Sequence, residues 1–434
     1  MRIAHFCDSH PGRSDGVATS VATTVSLLRA AGHEVQLYQP APLLRGRGEP
    51  CGVRSVPVPG RNIRVGVPRF SGMRPVPHLV HVHTPGPVGI GGLRYAQVHE
   101  VPVVMTWHTD LLAYSAHFME IQFGAVHAAQ RLELGWTMRD YLRLARSGTE
   151  RRARLLQLGQ EFMDRTAVVI APSAKTAAGL SEFERLPPVW TVPTSIQLAE
   201  CPLGRPELRR SLRIPEAAPV VLAVGRATKE KDPALLLAAF ARLLRTLPGA
   251  RLVMVGVKQN RLNVIRLSRQ FGVAHAVRLV RPVPHSRMAA YYRMADVLAF
   301  ASTTDTQGLV MIEAEAAGLP VVLADAALAA RPGGATGRLS TTPDADSFAA
   351  ALARVLTDPD LHREVAEAGR AAADAYSAEH YLDHLLAAYD FARTGQATAQ
   401  GATSAAQAAA GAGRAAAAVT VIPPTAAASS DFPT

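Results

Sequence analysis

Short apolar runs alternate with helix-like segments along most of the chain, and this alternation constrains the fold more than any other feature. In the first half the runs lie at residues 3–6, 35–38, 79–82, 101–105 and 167–170. Strands that are apolar throughout, and not only at every second residue, are buried on both faces. The sequence therefore predicts an α/β fold in which helices cover both sides of a parallel sheet.

The same pattern starts afresh near Pro219, which indicates a second domain. Its apolar runs lie at residues 220–224, 252–255, 277–279, 297–300 and 321–323. A chain of 434 residues is also long for a single hydrophobic core. We expect two α/β domains that face each other across a cleft, with ligands bound beyond the carboxyl ends of the strands.

Breaks in the pattern set the predicted boundaries. The N-terminal domain spans residues 1–197, a linker spans 198–216, and the C-terminal domain spans 217–377. An amphipathic helix at 378–393 is expected to pack back on the N-terminal domain. Residues 394–434 are mostly Ala, Gly, Thr, Ser and Pro with almost no charge, so we predict a disordered tail.

The net charge of +11 favours anionic partners such as phosphates, nucleic acid or an acidic membrane surface. The charge comes almost entirely from arginine, because lysine occurs only at positions 175, 229, 231 and 258. Nucleic acid is not an expected partner, since no basic face interleaved with aromatic residues is found.

The three cysteines, Cys7, Cys51 and Cys201, are too few and too scattered for a disulfide framework or a metal site. The chain starts directly with a strand-like run, without a signal-peptide pattern before it. No apolar run approaches the roughly 18 residues of a spanning helix. The sequence therefore predicts a cytoplasmic protein.

A basic loop (residues 225–231) follows the first strand of the second half. In it, the Arg226 guanidinium can fork onto a phosphate and Lys231 adds a compact positive charge. The pair suits a diphosphate, and an ordinary solvated loop is the alternative. The segment matches neither the dinucleotide GxGxxG fingerprint nor a P-loop.

Two carboxylates flank the start of a helix after the strand at 297–300. Asp305 precedes this helix and Glu313 lies inside it. Gly308 and Leu309 would begin the helix, so their free N–H groups point into the cleft. An N-cap aspartate followed by an ordinary helical glutamate is the alternative. Together with the basic loop, the pair favours a nucleotide-sugar site in which Glu313 accepts from ribose hydroxyls.

The first half offers two further candidates. Gly16 lies where a loop enters a helix, and its lack of a side chain lets a phosphate or an acceptor approach the backbone. His108 ends a strand, where its ring can hydrogen-bond a sugar hydroxyl. A plain helix cap and a satisfied structural histidine are the respective alternatives.

Two clusters have less specific readings. Among His78, His81 and His83, strand alternation puts His81 and His83 on one face and His78 on the other, so we predict no metal site. The arginine-rich segment between Arg139 and Arg154 can be a basic amphipathic helix that contacts anionic lipid, or a solvated helix face.

Taken together, these motifs resemble the retaining glycosyltransferases of family 4, which have the GT-B fold of two Rossmann-like domains. The residues that carry the resemblance are 15–20, 82–85, 106–109, 171–173, 221–226, 230–231, 291–296, 308–314 and 317–322. The resemblance extends over about residues 1–393.

The resemblance implies a role for each candidate that touches the donor nucleotide. Arg226 and Lys231 would hold the diphosphate of the donor, and Glu313 would bind the ribose. Gly16 would lie beside the diphosphate and the acceptor.

For the donor sugar, the resemblance implies that Asp305 holds hydroxyl groups, with help from the backbone N–H groups of Gly308 and Leu309. His108 would contact the same sugar. Three departures stand out: Asp305 replaces the usual glutamate, residues 193–197 read Pro-Thr-Ser-Ile-Gln, and the loop at 325–338 is short.

The implied reaction moves a hexose from a nucleotide-sugar, UDP-glucose or GDP-mannose, with retention of configuration and without a metal or other cofactor. Residues 305–308 and 15–20 look most like the lipid-glycosylating branch, so a lipid or phosphoinositol-type acceptor is implied, at the inner face of the membrane. A small-molecule metabolite as acceptor and a non-catalytic nucleotide-sugar binder are the alternatives.

Overall fold

The computed structural model describes residues 1–10, 15–41, 52–58, 64–68, 70, 75–108, 119–146, 148–258, 260–329 and 337–395. Two α/β units are built from these residues, each around its own sheet. The tail predicted at 394–434 lies almost wholly outside the described residues, as do Cys51 and the loop at 11–14 before Gly16.

The first sheet has eight strands in the described part of the chain, in the order β4-β3-β2-β1-β5-β6-β7-β8. All neighbours pair in parallel except β3 and β4, which are antiparallel. The strands are β1 (Arg2–Phe6), β2 (Glu34–Ala41), β3 (Gly52–Pro57), β4 (Arg64–Gly66), β5 (Leu79–Val82), β6 (Val103–Thr106), β7 (Val168–Ala171) and β8 (Val189–Thr191). The helices that accompany them are α1 (Gly16–Ala30), α2 (Pro87–Val98), α3 (Met119–Arg131), α4 (Met138–Arg146), α5 (Gly148–Asp164) and α6 (Ala174–Leu180).

The second sheet has six parallel strands among the described residues, in the order β11-β10-β9-β12-β13-β14. The strands are β9 (Val220–Val224), β10 (Arg251–Val255), β11 (Val277–Val280), β12 (Val297–Phe300), β13 (Val321–Leu323) and β14 (Arg338–Ser340). The helices are α7 (Arg205–Ser211), α8 (Pro233–Thr246), α9 (Arg261–Gln270), α10 (Met288–Met294), α11 (Leu309–Ala316), α12 (Ala345–Thr357), α13 (Pro359–Ala373) and α14 (Ala378–Thr394).

Both sheets are buried on both faces, as the continuous apolar runs predict. Every residue of β5, β6, β7 and β12 is buried. In β12, Val297 and Ala299 belong to one core cluster while Leu298 and Phe300 belong to the cluster on the opposite face. The prediction of two parallel α/β sheets is therefore confirmed.

The segment predicted as a linker, residues 198–216, is not a simple connection. It contains helix α7, whose Leu208 belongs to a core cluster of the second sheet. Arg209 on the same helix is buried and donates to the carbonyl of Met294 at 2.9 Å and to Asp296 Oδ2 at 2.8 Å. The core position of Leu208 and the buried contacts of Arg209 thus make helix α7 part of the second domain.

Helix α14 follows the second domain in sequence but lies against the first sheet. Its residues Leu385 and Ala388 share a core cluster with Ile3 of β1 and Ile170 of β7. The hydroxyl of Tyr389, also on this helix, lies 2.6 Å from Nδ1 of the buried His81. The C-terminal helix therefore ties the end of the second domain to the first.

We expect Tyr389→Ala to lower the free energy of unfolding by about 3–5 kcal/mol, because it empties a fully buried aromatic site. Tyr389→Phe keeps the ring and removes only the hydroxyl, so its cost is expected to be about 1–2 kcal/mol. Urea denaturation of both variants tests this packing. Equal and small effects of the two variants would mean that helix α14 contributes little to the stability of the first domain.

Candidate active site

The basic loop leaves strand β9 at the carboxyl edge of the second sheet. Gly225 begins it with a φ of 142°, a conformation that residues with a side chain rarely adopt. The loop continues into a 3₁₀ turn at Lys229–Lys231 that precedes α8. With the start of α8 and the residues after β12, it lines a pocket that contains both Arg226 and Lys231. The two cations that the sequence singled out are thus in one pocket.

Glu230 holds this loop in place, a role that the sequence did not indicate. Its side chain is buried, and its Oε1 lies 3.3 Å from Nη2 of Arg226. The hydroxyl of Thr228 donates to the same oxygen at 2.5 Å, while Ser302 donates to the Glu230 carbonyl at 2.9 Å. Glu230 therefore orients the Arg226 guanidinium and fastens the basic loop to the residues after β12.

Lys231 and Asp305 form a direct ion pair. Lys231 Nζ lies 2.5 Å and 2.6 Å from the two carboxylate oxygens of Asp305. Burial alone would raise the pKa of Asp305, but the charge and hydrogen bond of Lys231, a hydrogen bond from Ser302 and the charge of Lys175 outweigh it and lower that pKa. Asp305 is therefore ionised at neutral pH, and a diphosphate on Lys231 would compete with this carboxylate.

Gly308 allows the sharp turn from the Asp305 loop into helix α11. Its φ of 71° and ψ of 58° are left-handed, and a Cβ there would collide with the side chain of Met311. Leu309 begins the helix, and no side chain in the described residues caps this terminus. Its first N–H groups are therefore available to a polar ligand in the cleft.

Glu313 lies one turn inside α11 and is buried. The Tyr292 hydroxyl donates to its Oε2 at 2.5 Å, and His285 Nδ1 lies 3.9 Å from its Oε1. Burial raises the pKa of Glu313, although the hydrogen bond from Tyr292 and the charge of His285 oppose the shift. One carboxylate oxygen is thus engaged by Tyr292, so ribose binding by this residue would use the other.

His108 reaches the second domain through its backbone. It follows β6, and its carbonyl accepts from the Thr306 hydroxyl at 3.0 Å. This contact places the histidine beside the loop that carries Asp305. Burial lowers the pKa of His108 to about 4, so the ring is neutral at physiological pH.

Gly16 starts helix α1, whose N-terminus is capped by Asp15 accepting from the Ala18 N–H at 2.8 Å. A Cβ built on Gly16 would meet open space, so the position is accessible. Farther along α1, the Ser20 hydroxyl lies 2.7 Å from that of Thr194, which in turn contacts Gln307 through its backbone. The structure links α1 to the Asp305 loop through these residues but gives Gly16 no direct contact with the other candidates among the described residues.

Lys175 is a site residue that sequence reasoning missed. From helix α6 of the first domain, its Nζ lies 2.6 Å from Asp325 Oδ2 and donates to the carbonyls of Thr303 at 2.7 Å and Asp305 at 3.0 Å. Ser173, which caps α6, also donates to the carbonyl of Thr306. These contacts join the two domains at the loop that carries Asp305. The scarcity of lysine in this arginine-rich chain is the sequence feature that points to Lys175.

Three arginines of the segment between Arg139 and Arg154 form ion pairs in the described part of the chain. Arg154 lies 3.0 Å and Arg143 lies 3.5 Å from the same carboxylate oxygen of Asp140. Arg152 lies 2.5 Å from Glu182. Part of the positive charge is therefore compensated within the fold, and contact with an anionic membrane stays a prediction.

Within the described residues, a group of buried histidines is the arrangement that could hold a metal ion. His5, His81 and His83 place ring nitrogens within 4.8 Å of one another. In the sequence His78 is the histidine nearest to His81 and His83. The third histidine of the buried group is instead His5 on strand β1, which pairs directly with β5. Their ring nitrogens bond one another and nearby hydroxyls, so the arrangement also fits a purely hydrogen-bonded cluster.

These histidines make the fold sensitive to acid. Burial, and secondarily the charge of Arg29, lowers the pKa of His5 to about 3, while burial and neighbouring histidines lower the pKa of His81 and His83 well below normal. Below about pH 6.5 these histidines become protonated in the unfolded chain but stay neutral in the folded protein, so stability is lost as the pH falls.

For His5 the expected loss at pH 5 is about 2 kcal/mol relative to pH 7.5. We therefore expect His5→Gln to reduce the pH dependence of the free energy of unfolding, measured in urea, by that amount. The exposed His99→Gln is the control that should leave it unchanged. An unchanged pH dependence in His5→Gln would show that folding does not shift the pKa of His5.

Two parallel-sheet α/β domains with polar residues at their facing strand ends fit the GT-B architecture. Two family models match the chain, Glycosyltransferase Family 4 over residues 14–200 and Glycosyl transferases group 1 over residues 204–372. The two models cover its two domains in turn, so the chain belongs to the glycosyltransferases of the Family 4 and group 1 type.

Curated relatives agree with this assignment. The D-inositol 3-phosphate glycosyltransferase of Segniliparus rotundus is 32% identical over 246 residues, 53% of this chain and 54% of the relative. The alpha-monoglucosyldiacylglycerol synthase of Streptococcus pneumoniae is 26% identical over 339 residues, 74% of this chain and 70% of the relative. The match to the first relative thus spans about half of its length.

Solved structures confirm the GT-B fold. A sucrose-phosphate synthase from Thermosynechococcus elongatus aligns with a TM-score of 0.67 at 20% identity, over 91% of this chain and all of that chain. Anabaena HepE in complex with UDP and glucose aligns with a TM-score of 0.62 at 16% identity, over 90% of this chain and 99% of the other.

Proposed function

We propose that the protein is a retaining glycosyltransferase that moves a hexose from a nucleotide-sugar to an acceptor hydroxyl. The observation that carries this proposal is the cluster of Arg226, Lys231 and Asp305 at the carboxyl edge of the second sheet, with His108 of the first domain beside it. Cations and a carboxylate at such an edge match the diphosphate and the sugar of one ligand.

The donor would lie with its diphosphate on the basic loop. Arg226, oriented by Glu230, and Lys231 provide the positive charge, while the N–H groups at the start of α11 add donors. The ribose would bind the oxygen of Glu313 that Tyr292 leaves free. A metal ion is not needed in this arrangement, because cations and a helix terminus supply the charge for the leaving group.

The sugar would lie between the two domains. Asp305 accepts hydrogen bonds from its hydroxyls, and His108 contacts it from the opposite side. In the reaction the bond from the anomeric carbon to the diphosphate oxygen breaks, and a bond to the acceptor oxygen forms on the same face. The acceptor proton passes to the departing phosphate oxygen, so the protein supplies position and charge stabilisation and no nucleophile.

For the acceptor we propose a membrane lipid or an inositol phosphate. Support comes from the relatives, which are named for transfer to D-inositol 3-phosphate and for synthesis of alpha-monoglucosyldiacylglycerol. UDP-glucose and GDP-mannose are the proposed donors. Within the described ranges, no helix has both the length and the apolar character to span a bilayer. We propose that the protein meets its lipid acceptor at the membrane surface.

The proposal is tested by incubating the purified protein with UDP-glucose or GDP-mannose and one of three acceptors. These are diacylglycerol in anionic vesicles, inositol phosphate in solution, and a lipid extract. Mass spectrometry identifies a hexosylated product, and NMR of its anomeric proton reports the configuration. An α-linked product from an α-linked donor supports the proposal, and a β-linked product contradicts retention. Absence of a hexosylated product with all three acceptors would contradict the lipid or inositol phosphate assignment.

A further inference from the structure

A row of three histidines runs from the interior of the first sheet to the cleft. His5 lies on β1, His83 follows β5, and His108 follows β6, so three adjacent parallel strands bring them together. His5 Nδ1 lies 2.8 Å from His83 Nε2, and His83 Nδ1 lies 3.1 Å from His108 Nε2. His5 and His83 are buried, whereas His108 is half-buried.

Each ring in this row carries one N–H, because burial keeps all three neutral at physiological pH. A neutral imidazole donates from one nitrogen and accepts at the other. The two hydrogen bonds must therefore run in the same direction along the row. Either every ring donates towards His5, or every ring donates towards His108.

The inner end of the row decides between these directions. His5 Nε2 is buried and has no hydrogen-bond partner in the described part of the chain. If the row ran inward, this atom would carry an N–H with nothing to accept it. If the row runs outward, it carries only a lone pair. Orphaned buried donors are rarer than under-satisfied acceptors, so the outward direction is favoured.

We propose that His5 and His83 are positioning residues that hold His108 in the tautomer with its proton on Nδ1. The ring of His108 then presents a hydrogen-bond donor to the donor sugar. Among the described residues, His108 Nδ1 has no hydrogen-bond partner, so it is free to make this contact. The inference rests on the proposed function for the identity of the ligand, but the tautomer itself does not depend on it.

His81 supports the row from the side. Its ring stacks on His83 with centroids 4.0 Å apart. Both of its nitrogens lie within hydrogen-bond distance of hydroxyls, Tyr389 at 2.6 Å and Thr106 at 2.7 Å. His81 is therefore satisfied without joining the row, and it fixes the plane of the His83 ring. Tyr389 of helix α14 is thus linked to His108 in the cleft through His81 and His83.

The direct test is the tautomer of His108. In protein labelled with ¹⁵N-histidine, two-bond ¹H–¹⁵N spectra distinguish a proton on Nδ1 from one on Nε2, and the His108→Gln variant assigns the signals. We expect His108 to be protonated on Nδ1, and His83→Phe to shift the proton to Nε2, the form that free imidazole side chains prefer. The surface variant His99→Phe should leave the spectrum of His108 unchanged.

A double-mutant cycle tests the consequence for activity. We expect His83→Phe to lower kcat/KM by about 10-fold. His83→Gln should lower kcat/KM less, because its amide can both donate and accept a hydrogen bond. In a His108→Gln background, His83→Phe should have no further effect on kcat/KM. Additive effects of the two changes would mean that His83 acts on turnover independently of His108.

Three results would overturn the proposal. They are a proton on Nε2 of wild-type His108, additivity in the cycle, or stoichiometric zinc in the purified protein that His5→Gln removes. The last would assign the histidines to a metal site. Since the spectra require no substrate, failure of the proposed function would leave the tautomer result intact.

Discussion

Replacing both Arg226 and Lys231 with alanine is expected to weaken nucleotide-sugar binding by about 100-fold or more. Each cation would make a charge-assisted contact with the diphosphate, and such contacts contribute roughly 1.5–3 kcal/mol each. Titration calorimetry with the donor and with the free nucleoside diphosphate measures the loss. The nucleoside without phosphates should bind the wild type and the variant equally.

Lys229→Ala is the matched control for this experiment. Lys229 is exposed and lies in the same 3₁₀ turn as Lys231, so its removal changes the net charge of the loop without touching the pocket. We expect its affinity to stay within about 2-fold of the wild type, since exposed charges contribute little. Full affinity in the double variant would contradict the assignment of the diphosphate to this loop.

Asp305→Ala is expected to separate binding from turnover. Lys231 Nζ contacts both oxygens of this carboxylate, and a diphosphate must compete with it. Without the carboxylate, Lys231 is free, so the affinity for the nucleoside diphosphate should stay the same or increase. Transfer should fall by about 100-fold or more, because the sugar loses its acceptor and the developing positive charge loses its stabilising partner.

Asp305→Glu is the informative companion to this variant. It keeps the carboxylate on a side chain one methylene longer, so we expect transfer to remain measurable. A parallel loss of nucleotide affinity in Asp305→Ala would contradict the competition between Asp305 and the diphosphate. Steady-state kinetics, with kcat and KM reported separately, distinguishes the two cases.

The strands buried on both faces were predictable from the sequence, whereas three of the four strands at the sheet edges were not. β5, β9, β12 and β13 match the predicted runs at both ends. The strands missed were β3, β4, β8 and β14, of which the last three are three residues long and lie at sheet edges. An edge strand of three residues has too few positions to show a hydrophobic period.

The candidate site was predictable where neighbours in sequence stay neighbours in space. The basic loop and the Asp305–Gly308 turn each follow a recognisable strand. The direct pairing of Lys231 with Asp305, and the arrival of Lys175 from the other domain, join residues that are far apart in the chain. A single sequence does not show which side chains meet across a cleft, so these contacts required the structure.

His5 shows the same limit inside one domain. Its neighbours along β1 are apolar, and nothing in its local sequence distinguishes it from a histidine that happens to be buried. Its meaning comes from the pairing of β1 with β5, which places His5 opposite His81. Tyr292, whose hydroxyl binds Glu313, is a second example of a partner that only the packing of α10 against α11 brings into place.

The central claim is that this cleft catalyses transfer from a nucleotide-sugar. The most direct measurement is nucleotide release by the wild type and by Lys231→Ala across UDP-, GDP- and dTDP-sugars, with and without a lipid extract. We predict release from donors of one base, stimulated by acceptor and reduced at least about 100-fold in the variant. Donor binding without release under any condition, or equal release by both proteins, would contradict the claim.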